Sequence, residues 1–285
     1  MPTFQTPQPI AVTIDMVVGD VKIIASDRTD TVVEIRPSNQ KKKEDVRAAE
    51  ETEVDFAGDT LTVKSRKGWR LYSPFSGGES IDVTIEVPTG SDVRGTATVC
   101  RFLATGELGQ CDLKTSVGDL QLEKAGPVRL HTSGGNITID NAVGLTNITT
   151  GSGIVRIHAI EGTAIIKNSN GDNWVRDAIG DIQVNTANGN VTIERPRSSV
   201  TAKTANGNIR VGDASRGTMR LQTSAGELEI GIRPGSAAWL DVNTKHGTVQ
   251  NMMEIVDKPA ESEDKVEIYA RNSFGNIIIR HATVA

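Results

Sequence analysis

The sequence predicts an all-β chain wound into a single parallel β-solenoid, with about 18 residues and two main strands in each coil. Three observations predict it. First, the phrase T-x-x-G-[ND]-apolar-x-apolar recurs, its glycine standing at Gly118, Gly135, Gly153, Gly171, Gly189, Gly207, Gly226, Gly247 and Gly275. A fixed period of this kind marks stacked coils, each of which buries its apolar face only against its neighbours. Second, apolar residues alternate after each glycine, as in Leu120 and Leu122, Ile137 and Ile139, or Val191 and Ile193. Period-two alternation puts both on one face of a strand. Third, the chain is 37% hydrophobic but only 4% aromatic. Its core is therefore aliphatic, the composition that suits pleated sheets.

Taken in order, residues 1–90 read as irregular early coils that cap one end. Gly19-Asp20-Val21-Lys22-Ile23 and Val32-Val33-Glu34-Ile35 look like a loose coil, and Leu61 to Val63 and Ile81 to Val87 supply further strands. Between them, residues 39–53 carry Lys41-Lys42-Lys43-Glu44-Asp45 and lack sheet alternation, which predicts a short helical excursion. Residues 91–285 form the regular repeats. A second strand in each coil carries the pairs Val128 and Leu130, Ile182 and Val184, Met219 and Leu221, Leu240 and Val242, and Ile268 and Ala270. Thr115, Thr132, Thr150, Thr186, Thr204, Thr223 and Thr244, with Asn168 and Asn272 substituting, form a column before the turn glycines. Stacked hydroxyls and amides there satisfy the turn backbone. The pattern runs almost to the terminus, so Ile277, Ile278, Ile279 and Arg280 are expected to form an open edge for assembly.

A net charge of -5 offers no bulk electrostatic attraction for nucleic acid. No run approaches the roughly 18 apolar residues of a membrane span. The start, Met1-Pro2-Thr3-Phe4, has neither a basic nor an apolar leader region, so the expected location is cytoplasmic. Cys100 and Cys111 are too few for a disulfide scaffold and read as small buried hydrophobes. His131, His158, His246 and His281 are dispersed and predict no shared metal site. The acidic residues Asp119, Asp172, Asp181 and Glu227 follow turn glycines, but the doubled glycine and Asp of calcium-binding β-rolls do not recur at regular spacing. The glycines are periodic corners rather than phosphate cradles, and no cofactor is expected. The most unusual local composition is the loop KGWRLYSPF, whose Lys67, Trp69, Arg70, Tyr72 and Phe75 form either a contact surface or a plug over the core.

The segment GESIDVTIEVPTGSDV at residues 78–93, followed by TSVGDL, TSGGNI, TGSGIV and NSNGD, resembles the putative-adhesin β-strand-repeat family of bacteria, a domain of unknown function. The likeness covers most of the chain. It implies a right-handed parallel β-helix and brings no catalytic residues with it. At the level of architecture alone the chain is also similar to bactofilins, cytoplasmic β-helical polymers. The functional expectation is a non-enzymatic scaffold or interaction protein that binds a protein partner or copies of itself by pairing strand edges. The alternative is a carbohydrate-binding or carbohydrate-active β-helix.

Overall fold

Alternating aliphatic side chains become the inner wall of a coil wherever the strands run parallel and in register. The computed structural model describes residues 1–65, 79–253 and 264–282. They form two compact units, Met1–Ile139 and Asp140–Ala285, both built as a parallel β-helix.

In the second unit the coils stack like with like. Ala164 pairs with Ile182, Ile182 with Val200, and Val200 with Met219. On the other side of the coil Asn173, Val191, Ile209 and Leu228 follow one another in the same way. These parallel ladders place the aliphatic columns one rung above another, about 4.8 Å apart. Ile166, Val184, Ala202, Ile193 and Val211 are all buried. Burying a side chain of this size contributes about 1.5–3 kcal/mol, and the periodicity repeats that gain at every coil.

The corners need glycine because the backbones approach too closely for a side chain. At Gly207 the φ angle is 150°, and a Cβ there would lie 2.1 Å from the carbonyl oxygen of Gly189 in the coil below. Gly247 lacks the left-handed φ of its counterparts, yet a Cβ would meet the Gly275 oxygen at 1.9 Å. Threonine and asparagine beside the corners tie adjacent coils together. The Thr204 hydroxyl donates to the Gly189 carbonyl at 3.2 Å, and Thr223 donates to Gly207 at 3.0 Å. Outside this column, Asn206 donates to Asn188 and Asn188 to Asn170, each at 2.9 Å.

One inner column escapes simple alternation. Ala125, Ala142, Ile160, Ala178 and Ala214 are buried, although they fall out of phase with the preceding pair. The ladder shifts register just before two of them, between Leu122 and Lys124 and between Val211 and Ala214. An irregularity of this kind returns the chain to the core at the next bend.

In the first unit the chain does not stack in sequence order. Strand Ala11–Asp15 lies between Thr60–Lys64 and the start of Asp92–Leu108, parallel to both. Strand Val18–Ser26 lies between Ile81–Pro88 and the later part of Asp92–Leu108. Beyond these, antiparallel strands close the stack: Glu53–Ala57 on Thr60–Lys64, Asp30–Pro37 on Ile81–Pro88, and Thr3–Gln5 on Asp30–Pro37. Phe4 and Phe56 stack with centroids 5.0 Å apart and join two of these outer strands. A helix, Lys43–Glu50, packs over them; its buried Asp45 accepts the Ser80 N–H at 3.1 Å and pairs with Lys42 at 3.2 Å.

Candidate interaction surface

The last coils of the second unit are also out of sequence order. Strand Lys265–Phe274 pairs with Gly217–Ala225 on one side and with Ala237–His246 on the other. Strand Ile277–His281 likewise sits between Leu228–Ile232 and Val249–Asn251. The C-terminal coil is therefore inserted one place inward, and the outermost coil among the described residues is Ala237–Asn251. This corrects the expectation that Ile277 to Arg280 form the open edge. Ile277 and Ile279 are fully buried with partner strands on both sides. Ile278 lies between Glu229 and Gln250, and the Arg280 guanidinium bonds Glu229 at 2.7 Å.

Side-chain chemistry accounts for this order. The inserted coil presents Val266, Ile268, Ala270, Ile277 and Ile279 to the core, all buried. The outermost coil offers Leu240 and Val242, which are half-buried, Val249, which is 43% exposed, and Asn251, which faces solvent. Placing the fully aliphatic coil inside and the partly polar one outside buries more apolar surface than the reverse.

Among the described residues this outermost coil leaves an open sheet edge. The Ala237 N–H donates to Asp264 at 3.0 Å, on the side of the inserted coil. Ladder alternation then turns the N–H and C=O groups of Ala238, Leu240, Val242 and Thr244 the other way. Among the described residues no strand pairs with that side. Aromatic groups line the outer surface nearby. Trp239, 53% exposed, lies 5.1 Å from Tyr269, and the Arg220 guanidinium sits 4.3 Å over the same Tyr269 ring. His246 stacks on the exposed Phe274 at 4.7 Å, and Asp241 holds Arg271 at 2.6 Å.

A shallow groove of about 460 Å³ lies elsewhere on the second unit, bounded by Arg156, Trp174, Thr192, Asn208, Arg210 and Glu227. Thr192, one of its lining residues, lies between Trp174 and Arg210 in the ladder. The Trp174 indole donates to Glu194 at 2.9 Å, and His158 meets its ring edge-on at 5.4 Å.

The expected contact loop with Lys67, Trp69, Arg70, Tyr72 and Phe75 lies outside the described residues. Both cysteines are buried and unpaired, and burial pushes each thiol up to about 12, so neither is a thiolate at neutral pH. Among the described residues, no three of His, Cys, Asp and Glu converge to hold a metal, and no helix is long and apolar enough to cross a membrane. Sequence reading missed the Trp239 and Val242 edge, although two signals pointed to it. Asn251 occupies a core column, and Gly275 follows Gly247 by 28 residues (275 − 247) instead of about 18. The longer interval supplies the chain needed to step back past one coil.

The family profile described as Toastrack DUF4097 matches residues 11–272. No curated protein matches the chain. Among solved structures, a "putative adhesin" from Parabacteroides merdae is 17% identical with a TM-score of 0.49, covering 80% of this chain and 94% of its own. A "putative adhesin" from Parabacteroides distasonis is 11% identical with a TM-score of 0.42, covering 97% and 95%. A "putative lipid binding protein" from the same species is 10% identical with a TM-score of 0.30, covering 98% and 95%.

Proposed function

The chain belongs to the Toastrack DUF4097 family, and from that premise we propose that it is a non-enzymatic interaction protein that docks an extended protein segment on its outermost coil. The observation that carries this reading is the edge of Ala237–His246, whose outward N–H and C=O groups have no partner strand among the described residues. An added strand would satisfy those groups, and the half-buried Leu240 and Val242 beside it would supply apolar contact. Exposed Trp239 and Phe274 enlarge the contact surface with the residue types that dominate protein interfaces. A photo-activated cross-linking residue at position 243, on this edge, should form adducts in the producing cell. The same residue at position 203, which has partner strands on both sides within the second unit, should not. Equal adducts at both positions, or none at 243, would overturn the reading.

The groove around Trp174 favours a second reading, a carbohydrate-binding face. An indole beside arginine, asparagine and carboxylate groups is suited to a sugar ring and its hydroxyls. Quenching or enhancement of tryptophan emission by neutral and acidic oligosaccharides, lost in Trp174→Ala, would support it. An unchanged spectrum across such a panel would remove it.

A further inference from the structure

The identity of the docked strand rests on the edge-docking reading and goes one step beyond it. We infer that the occupant is a second copy of this chain, with the two Ala237–His246 strands paired antiparallel about a twofold axis at Val242. The edge itself selects that register. Only Ala238, Leu240, Val242 and Thr244 turn their backbone groups outward, so a twofold pairing that keeps at least three of them in the ladder centres on Leu240, Asp241 or Val242. Centring on Leu240 sets each Asp241 carboxylate opposite the second copy's Trp239, whose electron-rich ring face does not favour an anion. Centring on Asp241 sets two carboxylates face to face, which is destabilising. Centring on Asn243 leaves only Val242 and Thr244 to bond across the axis, because Leu240 then faces His246, whose carbonyl already accepts the Gly275 N–H at 2.9 Å. Centring on Val242 lets Leu240, Val242 and Thr244 each donate and accept across the axis. The same register places Asp241 opposite the second copy's Asn243, and Trp239 opposite its Lys245. The first is a hydrogen-bonding pair and the second a cation over an indole. The strand contains no proline, and Lys245 is its only lysine or arginine. A lysine that guards an edge against unrelated strands here has an aromatic partner in the second copy. The half-buried Leu240 and Val242 and the exposed Val249 are apolar surface that the second copy would cover. A contact limited to one coil end is small, so the dimer is weak, with a dissociation constant on the order of micromolar.

Light scattering on the full chain across a concentration series tests this. The mass should rise from 30.4 kDa toward twice that value. Asn243→Asp keeps the side-chain shape but sets a carboxylate opposite Asp241 at both symmetric positions, and should weaken the dimer about tenfold. Asn243→Lys should strengthen it by a similar factor. Val242→Pro removes a donor that the strand's own ladder does not use, and should leave a monomer with an unchanged circular dichroism spectrum. If that variant does not fold, the Asn243 pair still decides the matter. A dimer indifferent to both Asn243 substitutions would overturn the inference. A monomer at every concentration would also overturn it, and a labelled peptide copying Lys265–Phe274 then separates the two claims. Peptide binding that Val242→Pro abolishes would keep edge docking and reject only the second copy. Absence of peptide binding by that monomer would reject both.

Discussion

At the outer end of the first unit the chain folds antiparallel strands over its parallel coils, whereas the second unit finishes on the parallel coil Ala237–Asn251 with no further strand among the described residues. Both ends step out of sequence order, so crossing back past a coil is common to them. The difference lies in what covers the last parallel strand. In the first unit the outermost strands are short, Thr3–Gln5 and Glu53–Ala57, and the second carries exposed Glu53 and Asp55. Short, charged edges discourage further pairing. In the second unit the outermost strand has ten residues, Ala237–His246, with Leu240 and Val242 half open. The end coil of a stack must be finished, and each unit finishes its own by a different means.

The comparison breaks most sharply in the cores behind the two ends. Leu61→Ala behind the first end and Ile268→Ala in the inserted coil remove fully buried side chains, and each should cost about 2–5 kcal/mol in urea unfolding. Leu240→Ala, in the outermost coil, should cost about 1 kcal/mol or less, because water already reaches that side chain. Equal losses at Ile268 and Leu240 would mean that the outer coil is as well buried as the inner one.

A smaller effect is expected at the helix that covers the first end. Asp45→Ala removes the acceptor of the Ser80 N–H and the partner of Lys42, and should lower stability by about 1–3 kcal/mol. Hydrogen exchange should then speed up in Ile81–Pro88 before it does in the second unit. Uniform acceleration would show that the helix does not anchor that strand locally.

The charged edge offers a converse experiment. Replacing Glu53 and Asp55 together by threonine removes like charges from an exposed strand and should induce association through the first end. The repulsion removed is about 0.2–1 kcal/mol per pair, visible as a rise in scattered mass that persists when Val242→Pro is also present. No rise would mean that strand length rather than charge protects that end.

The smallest effect is a pH dependence confined to the first end. The hydrogen bond from Arg28 holds the Asp30 carboxyl below its ordinary value, while Arg28 also reaches Glu86. A depressed carboxyl contributes stability that is present above its unfolded value of about 3.9 and is lost as the pH falls through the lower folded value. Acid titration should therefore weaken the first unit below about pH 4, and Asp30→Asn should flatten that portion of the profile. An unchanged profile would assign the acid sensitivity to other carboxylates.

Much of the fold was legible because repetition makes each column visible many times. The pairs Ile137 and Ile139, Val191 and Ile193, and Ile209 and Val211 are buried as their alternation predicts. The column Ala125, Ala142, Ala178 and Ala214 was not legible, because a bend changes the phase and alanine signals neither face strongly. The edge was misplaced for a different reason. Sequence order orders coils only while the chain advances one step per period, and nothing local distinguishes a coil that advances from one inserted behind its predecessor.

The amino-acid sequence alone determined the parallel coil, its period, its glycine corners and its aliphatic interior. Each depends on contacts that recur at a constant separation along the chain. Only the tertiary structure decided which coil lies outermost, which glycine is needed for close approach rather than for its φ angle, and which strand keeps an open edge. Those outcomes depend on comparing whole coils, Val266 to Ile279 against Ala237 to Asn251, for the same inner position. The coil with more apolar surface to bury occupies it.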